Sequence, residues 1–266
     1  MTWNPDQYLR FAGPRLRPAV DLLARVGGQP RRVVDLGCGA GNVTRLLCER
    51  WPGAAVTGVD DAEPMLAKAR RELPAVRWQC RSIADWMPDV PDAAPDLLFS
   101  NAALHWLPDH ERLLPRLVAL LAPGGWLAVQ MPRNFRAPSH TAIAETVRAG
   151  PWRARLEGLL RGEPVATPAD YWGWLQPHAH ELDVWETEYL HVLTGDDPVV
   201  EWTKGTVLAP LLDALDDAPD GAQRAAFVRD YAARLRAAYP PRADGTTLFP
   251  FRRLFLVLRR RGEGTA

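Results

Sequence analysis

The sequence predicts an α/β fold in which a mostly parallel sheet of seven strands carries helices on both faces. Three features support this prediction. Short apolar segments alternate with helical segments at βαβ spacing between residues 31 and 132. A glycine-rich loop, Asp35-Leu-Gly-Cys-Gly-Ala-Gly41, joins the first apolar segment to the helix after it. Two more strand-like segments follow late in the chain, separated by a helical stretch.

The first half of the chain contains five predicted strands and four predicted helices. The strands are Arg32–Asp35, Ala55–Asp60, Val76–Cys80, Asp96–Ser100 and Trp126–Met131. The helices lie near Arg17–Val26, Val43–Trp51, Pro64–Glu72 and Glu111–Leu121. Because short apolar strands alternate with helices, we expect a parallel sheet that is covered on both faces.

The hydrophobic periodicity weakens after Pro132. We expect helices near 139–149 and 168–175, strands over Leu182–Leu193 and Arg253–Arg259, and helical structure across 197–239. No internal repeat or low-complexity linker interrupts the chain, so one domain over 1–266 is predicted. Its expected parts are an N-terminal cap helix in 1–28, a ligand-binding core in 31–132 and helical lid or substrate insertions in 133–180 and 197–248.

The composition limits the classes of partner. The 266 residues are 47% hydrophobic and carry 32 basic and 32 acidic side chains, so the net charge is zero. This balance argues against general nucleic-acid binding. The three cysteines form no CxxC pair, and no leader or run of 18 apolar residues is present, which predicts a cytoplasmic protein without a membrane partner. His178 and His180 lack a matching ligand set, so no metal site is expected.

The glycine loop predicts a ligand site at the start of a helix. Glycines at 37, 39 and 41 allow a sharp turn and a close approach of the ligand to the backbone. The free N–H groups of the next helix favour a polar or anionic group. A dinucleotide fingerprint requires G-x-G-x-x-G or A, but here the third glycine falls one residue early and Asn42 takes the final place. No GxxxxGK[ST] motif is present, which disfavours a P-loop.

Asp60 is the second feature of this site. It ends the second predicted strand, 21 residues beyond Gly39. A carboxylate at this place can accept hydrogen bonds from both hydroxyls of a ribose. The alternative is an acid that caps the helix beginning near Pro64.

The pattern acid-x-Gly-x-Gly-x-Gly, followed by Asp60, resembles the first motif of class I S-adenosylmethionine-dependent methyltransferases. The resemblance implies a Rossmann-like fold with an antiparallel last pair of strands, and S-adenosyl-L-methionine as cofactor. The cofactor-binding residues that it implies are Asp35, Gly37, Cys38, Gly39, Gly41, Asn42, Asp60, Asp61, Met65, Ser82, Ile83, Asn101 and Ala102.

The adenine and methyl ends of this site have further expected residues. Class I enzymes commonly carry an acid near Ser82 that accepts from the adenine amino group; here the Ser82 hydroxyl and the Ile83 N–H would serve, with Asp85 as a substitute. His105 and Trp106 follow the fourth strand and would stand near the methyl group as positioning residues. The alternative for Trp106 is packing beneath the next helix.

Five further segments resemble one family of this class, the trans-aconitate methyltransferases. They are Trp3–Tyr8, Arg15–Leu23, Asn101–His110, Leu127–Asn134 and Leu248–Phe255. The implied reaction is methyl transfer to a carboxylate of trans-aconitate or a related small polycarboxylate. A carboxylic acid has a pKa of about 4, so the acceptor is already ionised and we expect no general base. A different acceptor, such as a natural-product hydroxyl or carboxyl, and a non-catalytic cofactor sensor are the alternatives.

A polycarboxylate needs cationic and hydroxyl partners. The candidates are Tyr8, Arg15, Arg133, Tyr171, Arg252 and Arg253. Arg15 could equally hold the cofactor's carboxylate, and strand alternation allows only one of Arg252 and Arg253 to enter a pocket. Trp152, Trp172, Trp174 and Trp202 in the expected lid either cover the sulfonium or pack its core. The oligomeric state stays open, with a monomer as the default.

Overall fold

The structure is a computed structural model, and it describes residues 12–89, 94–215 and 221–262. Within these ranges the side chains of Ala12, Pro14 and Arg15 are outside the description. The helices are α1 Ala12–Leu23, α2 Asn42–Arg50, α3 Glu63–Glu72, α4 His110–Leu120, α5 Pro138–Ala149, α6 Arg153–Leu156, α7 Pro168–Leu175, α8 Pro198–Lys204, α9 Ala209–Leu215 and α10 Ala222–Ala238. Single 3₁₀ turns occur at Ile83–Asp85, Leu104–Trp106, Glu157–Leu159 and Gln176–His178.

Among the described residues, seven strands form one sheet, which confirms the predicted fold class at the level of a mostly parallel, Rossmann-like sheet. They are β1 Arg32–Leu36, β2 Ala55–Asp60, β3 Arg77–Cys80, β4 Leu97–Asn101, β5 Trp126–Pro132, β6 Ala179–Thr194 and β7 Thr246–Arg260. Their order is β3-β2-β1-β4-β5-β7-β6. Strands β1 to β5 pair in parallel, and β7 runs antiparallel to β5. The carboxyl ends of β1, β2, β4 and β5 therefore share one edge, where open α/β sheets bind ligands.

The predicted elements are confirmed in type, and several bounds are corrected. Helix α1 is Ala12–Leu23, so it starts five residues before the expected Arg17 and ends three residues before Val26. Strand β7 begins at Thr246 instead of Arg253, so it is twice as long as expected. Most of the described residues in 197–239 are helical, as expected, and they lie in α8, α9 and α10.

The chain divides into two compact units. The sheet unit contains Gly13–Pro132, Pro164–Thr187 and the residues from Arg253 onward. Leu36, Leu97, Leu98, Phe99 and Phe255 are fully buried in it. Its strands consequently have the apolar core that a sheet covered on both faces requires.

The helical unit contains Arg133–Glu163 and Glu188–Arg252. Its own hydrophobic core includes Trp152, Trp202, Phe227, Tyr231 and Phe249. Two of the four tryptophans expected in a lid are thus core residues of this unit. Across the described ranges, no helix has the length and apolar character that crossing a membrane requires.

Candidate functional site

The glycine loop follows β1 in a conformation that only glycine adopts easily. Gly37, Gly39 and Gly41 have φ angles of 76°, 54° and 83°. A Cβ built on Gly37 would lie 2.1 Å from the Cβ of Ala103, so a side chain at 37 has no room. The N–H groups of Gly37 and Cys38 donate to the Val59 carbonyl at 2.8 and 3.1 Å, which fixes the loop to the end of β2. The loop is therefore a tight, backbone-lined cradle at the carboxyl edge of the sheet.

Asp60 joins this loop to the next helix. Its Oδ2 accepts from the Gly39 N–H at 2.8 Å, and its Oδ1 accepts from the Ala62 N–H at 2.9 Å. Ala62 is the N-cap residue of α3, which has no side-chain cap hydrogen bond, so Asp60 orders the backbone just before this helix. Each carboxylate oxygen has a second acceptor position, so the same group can also accept from two hydroxyls. Burial raises the pKa of Asp60.

Asp35 lies beneath the loop in a nearly water-free position. The Thr44 hydroxyl donates to its Oδ2 at 2.6 Å. Burial raises the pKa of Asp35 to about 7, and the nearby charge of Asp60 adds to the rise. Asp35 consequently holds the loop to helix α2 and is only 1% exposed, too buried for direct contact with a large ligand.

Met65 and Ile83 lie against the glycines of the loop. The Met65 Cε would be 3.4 Å from a Cβ built on Gly39, and the Ile83 Cδ1 the same distance from one built on Gly37. Ser82 caps the turn Ile83–Asp85, since its Oγ accepts from the Ala84 N–H at 3.2 Å. The structure thus brings residues after β1, β2 and β3 together, whereas the side chains of Asp61 and Asp85 are exposed.

The end of β4 contributes a second group of expected residues. Ala102 has a φ of 54°, and its N–H donates to the Gln130 carbonyl at 2.9 Å. Within the described ranges, the buried Oδ1 of Asn101 has no hydrogen-bond partner. His105 is buried, and Trp106 is 38% exposed with its ring centroid 4.8 Å from that of His105. Trp106 is therefore not packed away beneath the next helix.

Arg253 and Gln130 form a buried polar pair beside Asn101. Arg253 is 5% exposed, and its Nη1 donates to the Oε1 of Gln130 at 3.4 Å. The neighbouring Arg252 points to the other face, where it is exposed and pairs with Glu188 at 3.5 Å. The expected separation of the two arginines by strand alternation is seen here. Gln130 was missed from the sequence because a single glutamine inside an apolar strand gives no functional signal.

Tyr171 requires a correction, since the structure does not support a substrate role for it. Its side chain is fully buried, and its hydroxyl lies 2.6 Å from the Nδ1 of His110. The Nε2 of His110 lies 2.9 Å from the Leu104 carbonyl, so Nε2 carries the proton and Nδ1 accepts from Tyr171. Burial lowers the pKa of His110 and favours this neutral form. The Tyr171 hydroxyl proton is therefore committed to joining α7 and α4.

The remaining expected substrate residues are spread over the chain. Arg133 belongs to the helical unit, is mostly buried and lies 3.9 Å from Glu163. Arg15 lies in α1, but its side chain is outside the description. Tyr8 also lies outside the described residues. Cys38 lies in the glycine loop and Asn42 is the first residue of α2.

Comparisons with known proteins identify the family. A model described as a methyltransferase domain matches residues 33–125. The trans-aconitate 2-methyltransferase of Azoarcus sp. is 50% identical over 259 residues, covering 96% of this chain and 98% of the relative. The enzyme of the same name from Streptomyces coelicolor is 50% identical over 272 residues, covering 97% and 87%. The chain belongs to the trans-aconitate 2-methyltransferase family.

A solved structure also resembles this family member in fold. It is a phosphoethanolamine N-methyltransferase 2 from Haemonchus contortus, with a TM-score of 0.56, 16% identity, and 92% of this chain and 53% of that chain covered. At this identity the likeness concerns the fold alone. The expected class I methyltransferase fold and the resemblance to the trans-aconitate methyltransferases are both confirmed.

Proposed function

We propose that this protein transfers a methyl group from S-adenosylmethionine to a carboxylate of trans-aconitate. The observation that carries the proposal is sequence identity: about half of the residues are identical, over nearly the full length, to those of relatives that are named for this activity. The likeness extends far beyond the 93 residues of the methyltransferase model, which alone would leave the acceptor open. The acceptor-binding part of the chain is therefore included in the similarity.

S-adenosylmethionine is the cofactor, and the residues of the loop site fit it. The positive φ angles of Gly37 and Gly39 keep the loop free of side chains, Asp60 has two acceptor positions left, and the buried Asn101 Oδ1 has no hydrogen-bond partner within the described ranges. Asp60 would hold the ribose, Ser82 and Ile83 the adenine, and Asn101 with Ala102 the methionine end. When bound, the cofactor supplies an electrophilic methyl group that a carboxylate oxygen accepts, leaving an ester and a neutral thioether.

The protein's own part in catalysis is alignment and exclusion of water. The acceptor needs no general base, because its pKa of about 4 leaves it ionised at neutral pH. His105 and Trp106 follow β4 side by side, and we assign them positioning roles near the transferred methyl group. A well-oriented pair of reactants gains rate from orientation alone, which suits a site without an acid or base.

Arg253 is the proposed principal contact for the acceptor. It is buried at the edge where ligands bind in parallel sheets, whereas Arg252 on the opposite face is not part of the proposed site. A guanidinium binds a carboxylate through two parallel hydrogen bonds. Arg133, Arg15 and Tyr8 stay predictions, as does a lid formed by 133–180 and 197–248 in a single domain over 1–266.

The partners follow from the same proposal. The protein acts on a small molecule, and the balanced charge supports no nucleic-acid or membrane partner. We also propose a cytoplasmic location and a monomeric state. The three cysteines are all free thiols in the structure, in keeping with a reducing compartment.

A methyl-transfer assay over a panel of acceptors tests the proposal. The panel contains trans-aconitate, other di- and tricarboxylates, monocarboxylates and hydroxyl compounds, each with methyl-labelled S-adenosylmethionine. We expect the highest kcat/KM with trans-aconitate and little transfer to hydroxyl compounds. A higher kcat/KM with a hydroxyl acceptor would replace the proposed substrate class, and cofactor binding with no transfer at all would indicate a sensor.

A further inference from the structure

We infer that Gln130 and Arg253 together form a subsite for one carboxylate of the acceptor, in which Gln130 determines specificity. This inference rests on the proposed function and adds a residue to it. Gln130 lies at the carboxyl end of β5 and is fully buried. Within the described part of the chain, its Nε2 has no hydrogen-bond partner. A buried amide nitrogen without an acceptor is costly, which points to an acceptor that arrives with a ligand.

The orientation of the Gln130 amide is fixed by Arg253. The guanidinium Nη1 donates to Oε1 at 3.4 Å, and the reversed amide would place two donors against each other. The Nε2 hydrogens are consequently directed away from the oxygen that Arg253 occupies. The amide and the guanidinium then both present N–H donors, a set that matches the two oxygens of a carboxylate.

The strand register places this pair on one face of the sheet. Asn101 of β4 is the register partner of Gln130, and Gln130 is the register partner of Phe255 on β7. Arg253 lies two residues from Phe255, so its side chain leaves the same face. Asn101 is also one of the residues proposed to hold the methionine end of the cofactor. A carboxylate held by Gln130 and Arg253 would therefore lie next to the methyl-bearing part of the site.

The choice of glutamine over glutamate follows from charge. A glutamate at 130 would form an ion pair with Arg253 and neutralise the guanidinium before any ligand arrived. Glutamine supplies an oxygen that holds Arg253 in place without cancelling its charge. A buried positive charge favours an anionic acceptor such as a polycarboxylate over neutral hydroxyl compounds.

The test uses calorimetric binding of trans-aconitate to the full-length protein saturated with S-adenosylhomocysteine, so that no turnover is needed. Gln130→Met removes the amide at nearly constant volume, and Gln130→Glu places a negative charge in the subsite. We expect the Kd for trans-aconitate to rise about tenfold in the first and about a hundredfold in the second, since bonds to charged groups are the stronger ones. The Kd for S-adenosylmethionine should stay within about twofold in both.

Arg253→Gln is a third test variant, and Arg259→Gln on the same strand is its matched control. Arg259 is partly exposed at the opposite end of β7 and pairs with Glu181 at 3.1 Å, so its change should leave acid binding unaltered. Arg253→Gln should weaken acid binding at least as much as Gln130→Met. Thermal melts check that each variant folds. If only one of the two Gln130 variants folds, that variant alone is enough to test the subsite.

Three results would overturn the inference. The first is unchanged affinity for trans-aconitate in a folded Gln130 variant. The second is an equal loss of S-adenosylmethionine affinity, which would assign the subsite to the cofactor's carboxylate. The third is a wild-type protein that binds no polycarboxylate. Binding without methyl transfer would refute the proposed function and leave the subsite in place. Methyl transfer to trans-aconitate that is unaffected by the Gln130 substitutions would refute the subsite and leave the proposed function in place.

Discussion

At the scale of single residues, two carboxylates organise the cofactor end of the site. Asp60 ties the loop to the start of α3 through two backbone N–H groups, and Asp35 ties it to α2 through Thr44. Both are removed from water, which raises the pKa of each. Only Asp60 retains accessible acceptor positions, so the two acids have different tasks.

Changing Asp60 should weaken cofactor binding selectively. Asp60→Ala removes both carboxylate oxygens that would accept from the ribose. Because more than one hydrogen bond to a charged group is lost, we expect the Kd for S-adenosylmethionine to rise about a hundredfold. Isothermal titration calorimetry measures this Kd. Asp183→Asn, an exposed change on β6 beside Arg25, is the control and should have no effect. Unaltered affinity in Asp60→Ala would refute the ribose assignment.

Asp35 predicts a pH dependence of stability. Its pKa rises from 3.8 when unfolded to about 7 when folded, so the folded state holds a proton that the unfolded state loses between these values. The stabilisation is complete below about pH 4 and is lost as the pH rises towards 7, by about 4 kcal/mol in all. Urea titrations of the ligand-free protein should show this decline, and Asp35→Asn should flatten it. An identical decline in Asp35→Asn would contradict the assignment.

The residues of the loop could be predicted from the sequence because their spacing is dictated by backbone geometry. Gln130 and Tyr171 could not be placed correctly, because both depend on burial. A glutamine in a strand shows no sign of an unpaired amide, and a tyrosine in a stretch of weak hydrophobic periodicity shows no sign of its contact with a histidine from another helix. Contacts between distant segments determine what such polar groups do.

At the scale of elements, two local units shape the sheet unit. The strand–loop–helix unit β1–α2 depends on Gly37, which has no space for a side chain. The helix pair α4–α7 depends on the buried hydrogen bond between Tyr171 and His110. Each can be tested by one substitution.

Gly37→Ala should damage the loop. The new Cβ would lie 2.1 Å from that of Ala103, at a φ of +76° that disfavours any side chain. We expect a loss of about 1–3 kcal/mol in the free energy of unfolding and a loss of S-adenosylmethionine binding. Gly53→Ala, where a Cβ meets nothing within 4 Å, should bind normally. Equal binding by both variants would contradict the described cradle.

Tyr171→Phe should affect stability and leave acceptor binding intact. It removes the hydroxyl that donates to His110 and leaves a buried acceptor unsatisfied, which costs about 1–3 kcal/mol. Urea unfolding measures the loss, and the KM for trans-aconitate serves as the second readout. A raised KM at unchanged stability would restore the substrate role that the sequence suggested.

At the scale of the whole molecule, the sequence predicted the parallel half of the sheet more accurately than the rest. Strands β1, β4 and β5 are largely buried and therefore read as apolar segments. Glycine and proline punctuate this half of the chain, as Pro123-Gly124-Gly125 does before β5. Strands β6 and β7 run for 16 and 15 residues and alternate buried with exposed positions irregularly, so their full lengths were not visible. The helical unit has a separate apolar core, which a weak periodicity could not outline.

The central claim is that a carboxylate of trans-aconitate receives the methyl group, and the product itself decides it. The protein is incubated with trans-aconitate and ¹³C-methyl S-adenosylmethionine, and the product is examined by NMR and mass spectrometry. One labelled methyl ester per molecule, released as methanol by mild base, is the predicted result. A methyl group on carbon, or no transfer while a different class of acceptor is methylated, would contradict the account.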